Sequence, residues 1–186
     1  MRFTETDLKG LWLIEREPHS DSRGSFARTF CEREFAAHGL ETRFVQHSQS
    51  LSREKATVRG MHFQKEPHAE VKLVSCIAGA ILDVAVDLRP GSPGYLSWRA
   101  FELTPGNGRQ IYIPEGFAHG FQTLTDDAVV HYLISEFHAP PAASGVRYDD
   151  PALGIEWPLP PGVVADKDRA WPLIESASRP KVLAEQ

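Results

Sequence analysis

The sequence predicts an all-β domain, a sandwich or barrel, and three observations carry that reading. Short runs of β-branched and aromatic residues recur up to about residue 135, Gly, Pro and Asp clusters punctuate them, and only one stretch has the texture of a helix. With 186 residues and 41% hydrophobic content, the chain suits a single domain around one sizeable core. The helix is expected over residues 32–38, stopped by Gly39. Residues 59–64 follow a two-residue period that sends Gly60, His62 and Gln64 to one face and Met61 and Phe63 to the other. Runs at 73–77 and 81–88 flank Ala78, Gly79 and Ala80, which reads as a hairpin turn. The second run alternates Leu82, Val84, Val86 and Leu88 against Asp83, Ala85 and Asp87, so both aspartates share a face. Further strands are expected at 109–113 and 129–135, and Val130, Tyr132 and Ile134 share a face in the latter. From Ala139 onward prolines become frequent, which predicts ordered loops wrapped on the barrel. Beyond about Glu175 the chain reads as a frayed tail.

Charge and composition narrow the function. The formal net charge is −5 with both signs interspersed, which leaves no basic footprint for nucleic acid or an anionic membrane. An anionic ligand would need a local pocket of Arg and Lys. Cys31 and Cys76 stand far apart without a CxxC spacing, and the N-terminus begins with charged residues where a signal core would be apolar. A reducing cytoplasm and no membrane partner are therefore expected, since no apolar run approaches the roughly 20 residues of a spanning helix.

Gly108, Pro114, Gly116 and His119 reproduce the spacing Gly-x5-Pro-x-Gly-x2-His, the second motif of the cupin β-barrels. The first cupin motif supplies His-x-His and a Glu, but here His62 is followed by Phe63 and Gln64. A transition-metal site normally takes three protein ligands, so the expectation is a cupin shell with no metal.

A longer series of motifs resembles a known family. Asp21-x-Arg23-Gly24-x-Phe26, Phe44-Val45-Gln46, Arg59-Gly60-x-His62-Phe63-Gln64, Lys72-Leu73-Val74 and Asp83-Val84-x-Val86-Asp87-x-Arg89 occur in order. They are followed by Pro114-x-Gly116-Phe117-Ala118-His119-Gly120-Phe121, Asp150-Pro151-x-Leu153-Gly154-Ile155-x-Trp157-Pro158 and Lys167-Asp168. Motif for motif, this series resembles the dTDP-4-dehydrorhamnose 3,5-epimerases over nearly the whole chain. The resemblance implies a cupin-like jelly roll with one short N-terminal helix and a loop-rich C-terminal segment. It further implies a cofactor-independent epimerase of a nucleotide-linked 4-keto-6-deoxyhexose, working as a homodimer whose N-terminal segment crosses to the neighbour.

By the same resemblance His62 is the base, Asp168 holds its ring, Lys72 stabilises the enolate oxygen and Tyr132 protonates the opposite face of the sugar. His119 and Asp83 complete the polar floor. Arg59, Arg23 and Lys167 are the expected diphosphate ligands. Phe26, Gln46, Gln64 and His138 meet the nucleoside and sugar, with Arg23 and Phe26 serving the partner's site.

Four positions, two of them adjacent, depart from the family pattern. Arg28 stands in place of Glu, Ser48 in place of Asn, and Phe137-His138 in place of a Tyr pair. They leave open which nucleotide is taken and whether C3, C5 or both are inverted. Two other readings stay in view. A metal-dependent cupin would need a third ligand besides His62 and His119, and a non-catalytic sugar-nucleotide module would have no use for a base opposed to an acid.

Overall fold

The computed structural model describes residues 1–174, so the expected tail lies outside the described residues. Its elements run β1 (Arg2–Glu5), β2 (Trp12–Glu15), β3 (His19–Asp21), β4 (Gly24–Phe26), α1 (Glu32–Ala37), β5 (Gln46–Ser52), β6 (Val58–Gln64) and β7 (Lys72–Ala78). They continue with β8 (Ile81–Asp87), β9 (Trp98–Leu103), β10 (Arg109–Ile113), β11 (Phe117–Thr123), β12 (Ala128–Ile134), β13 (Ala143–Gly145) and α2 (Asp166–Arg169). Two antiparallel sheets face each other as a cupin-like jelly roll, ordered β1-β2-β10-β7-β12-β5 and β13-β6-β11-β8-β9, with β3 and β4 forming a separate hairpin.

The core between the sheets is apolar at one end. Val74, Cys76, Ile111, Ile113 and Val130 from the first sheet meet Ile81, Ala85, Leu103, Phe117 and Phe121 from the second. Burying each of the larger side chains contributes roughly 1.5–3 kcal/mol. The outer faces are covered separately. Phe35 of α1 packs with Ile14, Leu73, Tyr112 and Leu133 on the first sheet, while Val84, Val86 and Met61 meet Leu96, Val146 and Leu153 outside the second.

The helix ends as expected at Gly39, whose φ is +69°. The N–H groups of Gly39 and Leu40 donate to Ala36 O and Phe35 O, which satisfies the last carbonyls. The hairpin expected around Gly79 does not form. β7 pairs with β10 and β12 in one sheet, and β8 pairs with β11 and β9 in the other, so residues 78–80 are a corner between layers. Gly79 makes the corner possible with a φ of +72°, and Thr125 Oγ1 accepts the Ala80 N–H at 3.0 Å. Both runs also need cover on two faces, as Leu73 and Val74 show by entering different clusters. Separate sheets provide it.

The period in β6 is broken at a point that matters. His62 lies opposite His119, but Arg59 lies opposite Phe121, so β6 carries one extra residue across from Gly120. This bulge brings Arg59 to the same interior as His62, whereas strict alternation would point it with Met61 to the outside. Gly60 is required there because its φ is +134° and an added Cβ would stand 2.5 Å from Gly120 Cα. Gly60→Ala is expected to cost about 2–4 kcal/mol from overpacking and backbone strain together. Thermal unfolding measures it, as a drop in Tm of about 5–15 °C for a chain this size, and an unchanged Tm would contradict the close packing.

Candidate active site

At the other end the space between the sheets opens into a cavity of about 640 Å³. Its walls come from both sheets and from the C-terminal segment. β6 and β11 supply Arg59, His62, Gln64 and His119, while β5, β7 and β12 supply Gln46, Lys72 and Tyr132. The C-terminal segment adds Lys167 and Asp168, and His138 lies at the same opening.

Asp168 reaches His62 because the chain returns beside β6. Val58 bridges to Val164 in parallel, and the N–H groups of Gly162 and Val58 donate to Ala56 O and Val163 O. That tether lays α2 against the bulge. The Asp168 side chain is 2% exposed, its Oδ1 lies 2.6 Å from His62 Nε2, and its Oδ2 accepts the Gly60 N–H at 3.3 Å. Burial raises the Asp168 pKa, but the hydrogen bond and charge of His62, the Gly60 N–H and Lys167 outweigh it and leave the carboxyl below its ordinary value. An ionised carboxylate only accepts, so Nε2 carries the proton and Nδ1 keeps the lone pair that a base needs. With its folded pKa depressed, Asp168 adds stability above the unfolded carboxylate's value, and that contribution is lost as pH falls through the folded one.

His119 is buried across from His62 in the ladder, with Nε2 2.7 Å from Asp83 Oδ2. Tyr132 stands on the opposite sheet, its ring 6.1 Å from that of His119 and its hydroxyl 3.3 Å from Ser50 Oγ. Burial pushes the phenol pKa well up, the Ser50 hydrogen bond and Arg59 lower it, and Asp83 raises it further; the net shift is upward. Lys72 crosses the space between the sheets. Its Nζ lies 2.9 Å from Glu70 Oε1 and donates to His62 O at 3.4 Å.

The binding residues divide. The Arg59 guanidinium borders the cavity, held by Ser52 Oγ at 2.9 Å and Leu51 O at 3.1 Å. Gln64 was expected to meet the ligand, but its amide is taken up by backbone. It donates to His68 O and Phe137 O and accepts the Ala139 N–H, which clamps the segment carrying His138. Gln46 accepts the His138 N–H at 2.7 Å and extends that clamp. Arg23 and Phe26 lie outside this cavity on the β3–β4 hairpin, where Arg23 pairs with Asp21 and Phe26 is 71% exposed. Asp83 acts from behind His119 and does not line the cavity.

Sequence reasoning passed over Ser50, Glu70 and Trp171, all of which line the cavity. Ser50 was within reach of the two-residue period, since Gln46, Ser48 and Ser50 alternate along β5. Trp171 follows Asp168 by about one helical turn and packs on Gly145, where a Cβ would come within 2.5 Å of the indole. Among the described residues, no group of three or more His, Cys, Asp or Glu side chains is arranged to hold a metal ion, and no helix is long and apolar enough to cross a membrane.

Residues 5–176 match the sequence family described as dTDP-4-dehydrorhamnose 3,5-epimerase. The chain belongs to the dTDP-4-dehydrorhamnose 3,5-epimerase family. The epimerase of this name from Methanothermobacter thermautotrophicus is 46% identical, over 94% of this chain and 96% of its own length. Among solved structures of the family, the Bacillus anthracis epimerase with TDP and PPi bound is 40% identical with a TM-score of 0.90, covering 93% of this chain and 99% of that one. The Legionella pneumophila dTDP-6-deoxy-D-glucose-3,5-epimerase, in complex with dTDP-4-keto-L-rhamnose, is 37% identical with a TM-score of 0.87, covering 92% of each chain.

Proposed function

We propose that this chain converts dTDP-4-dehydro-6-deoxy-D-glucose to dTDP-4-dehydro-L-rhamnose by inverting C3 and C5 without a cofactor. One observation carries the mechanism: His62 on one sheet, paired with the Asp168 carboxylate of α2, and a protonated Tyr on the other sheet border a single cavity. The C4 ketone acidifies the hydrogens on its neighbours. His62 removes one as a proton, the C–H electron pair moves into the C4 carbonyl, and the resulting enolate oxygen is held by the Lys72 ammonium. Tyr132 then delivers a proton to the other face of that carbon. Both groups return to their starting protonation by exchange with solvent, and a second round acts on the other carbon. The high phenol pKa suits this role, because Tyr132 keeps its proton until a strongly basic enolate calls for it.

Arg59 and Lys167 hold the diphosphate by charge-assisted hydrogen bonds. The working unit is a homodimer in a reducing cytoplasm, and the β3–β4 hairpin serves the partner's cavity with Arg23 and Phe26. Support comes from the exposed Phe26 and from exposed Leu51 and Ile77 on the first sheet. A second reading, inversion of one carbon only, is favoured by one observation: His138 occupies the cavity where the family pattern has the second residue of a Tyr pair.

The test is deuterium wash-in from solvent, run in parallel on dTDP-, CDP-, GDP- and UDP-linked 4-keto-6-deoxyhexoses. Label at both C3 and C5 of the dTDP sugar is the expected result. Label at one carbon would establish the second reading, and no label on any of the four would overturn both. Treatment with EDTA is expected to leave turnover unchanged; a loss restored by added metal would instead assign the chain to metal-dependent cupins.

A further inference from the structure

Beside the ammonium that the mechanism uses lies a carboxylate with no part in it so far. Glu70 Oε1 is 2.9 Å from Lys72 Nζ, and both side chains are only 11% exposed. Both line the cavity. The ammonium also donates to His62 O at 3.4 Å, so two of its three N–H groups are directed, one to a loop residue and one to the strand carrying the base. Lysine has four rotatable side-chain bonds and little intrinsic aim, which makes such anchors decide where the third N–H points.

We infer that Glu70 is a positioning residue for the epimerisation: it fixes the Lys72 ammonium where the enolate oxygen forms. The inference rests on the role proposed for Lys72. Glu70 itself takes no proton and forms no bond to the sugar. Its carboxylate also offsets the ammonium charge in the resting cavity, so the anion that needs stabilising is the one that develops during the reaction. A contact of this kind acts on the transition state more than on ground-state binding. Its loss should fall on kcat, not on KM.

The experiment compares Glu70→Ala, Glu70→Gln, Lys72→Ala and the Glu70→Ala/Lys72→Ala double variant, using dTDP-4-keto-6-deoxyglucose for turnover and dTDP for binding. Glu70→Ala is expected to lower kcat by on the order of 10 to 100-fold, the scale of an ångström-sized misplacement. KM and the dTDP dissociation constant should stay within about threefold of wild type, because uniform binding is untouched. Glu70→Gln keeps a neutral acceptor for the ammonium and should recover most of that loss. In the Lys72→Ala background, Glu70→Ala should change kcat by less than about threefold, since residues acting through one another are not additive. Wild-type kcat in Glu70→Ala overturns the inference, and so does a double variant whose losses multiply. If Lys72→Ala is itself fully active, the role of Lys72 falls and takes this inference with it; a dead Lys72→Ala beside an active Glu70→Ala sinks Glu70 alone.

Discussion

His62→Ala is expected to abolish both deuterium incorporation into the sugar and inversion, while leaving nucleotide binding nearly intact. The order of events demands the double loss. Without the imidazole no enolate forms, and a positioned general base contributes about 10² to 10⁴-fold on its own. Asp168→Asn should approach the same loss by another route. Asp168 Oδ1 lies 2.6 Å from Nε2, and an amide turned with its NH₂ toward the ring would select the tautomer that places the lone pair on Nε2, away from the role assigned to Nδ1. The buried carboxylate also stabilises the imidazolium that forms when the proton arrives, and the neutral amide cannot. Wash-in of solvent deuterium, followed with dTDP binding, separates these outcomes. Exchange at the wild-type rate in His62→Ala would remove this residue from the chemistry and with it the reading of the dyad.

Much of this site was legible in the sequence, and the reasons are local. The two-residue period of residues 59–64 put His62 and Gln64 on one face and Met61 and Phe63 on the other; His62 and Gln64 line the cavity and Met61 packs outside the second sheet, but Phe63 borders the cavity as well. The period also assigned Asp83 and Asp87 to one face, where both are now found buried. What the pattern could not carry was topology. A three-residue link between apolar runs reads the same whether it closes a hairpin or turns a corner between sheets, and only the pairing of β7 and β8 with different neighbours decides. Arg59 was placed in the binding site by resemblance alone, because the bulge opposite Gly120 breaks the period that would have pointed it outward. Asp168 is a long-range partner of the same kind, since nothing in residues 162–168 announces that they run beside β6. Glu70 was hidden for a different reason: it lies before the strand begins, where no period governs its direction.

Tyr132→Phe is expected to differ from the His62 variant in kind. Losing one oxygen from a residue packed between the sheets leaves its ring and its contacts in place, so the fold and the cavity shape should persist. Only the proton donor is gone. His62 can still take a proton from the sugar and return it to the face it came from, exchanging it with solvent in between. Deuterium should therefore continue to enter the substrate at a rate within about tenfold of wild type, while inversion falls by on the order of 10² to 10⁴-fold. The argument depends on the two groups lying on separate walls, His62 on β6 and Tyr132 on β12 of the opposing sheet. The Ser50 hydroxyl, 3.3 Å from the phenol, should not rescue the variant, because an aliphatic hydroxyl is a weaker acid than a phenol. Label incorporation and the appearance of inverted sugar are measured in the same deuterium oxide incubation. Equal and complete loss of both would make Tyr132 necessary before the enolate exists, as a group that positions the sugar, and normal inversion would remove it from the mechanism.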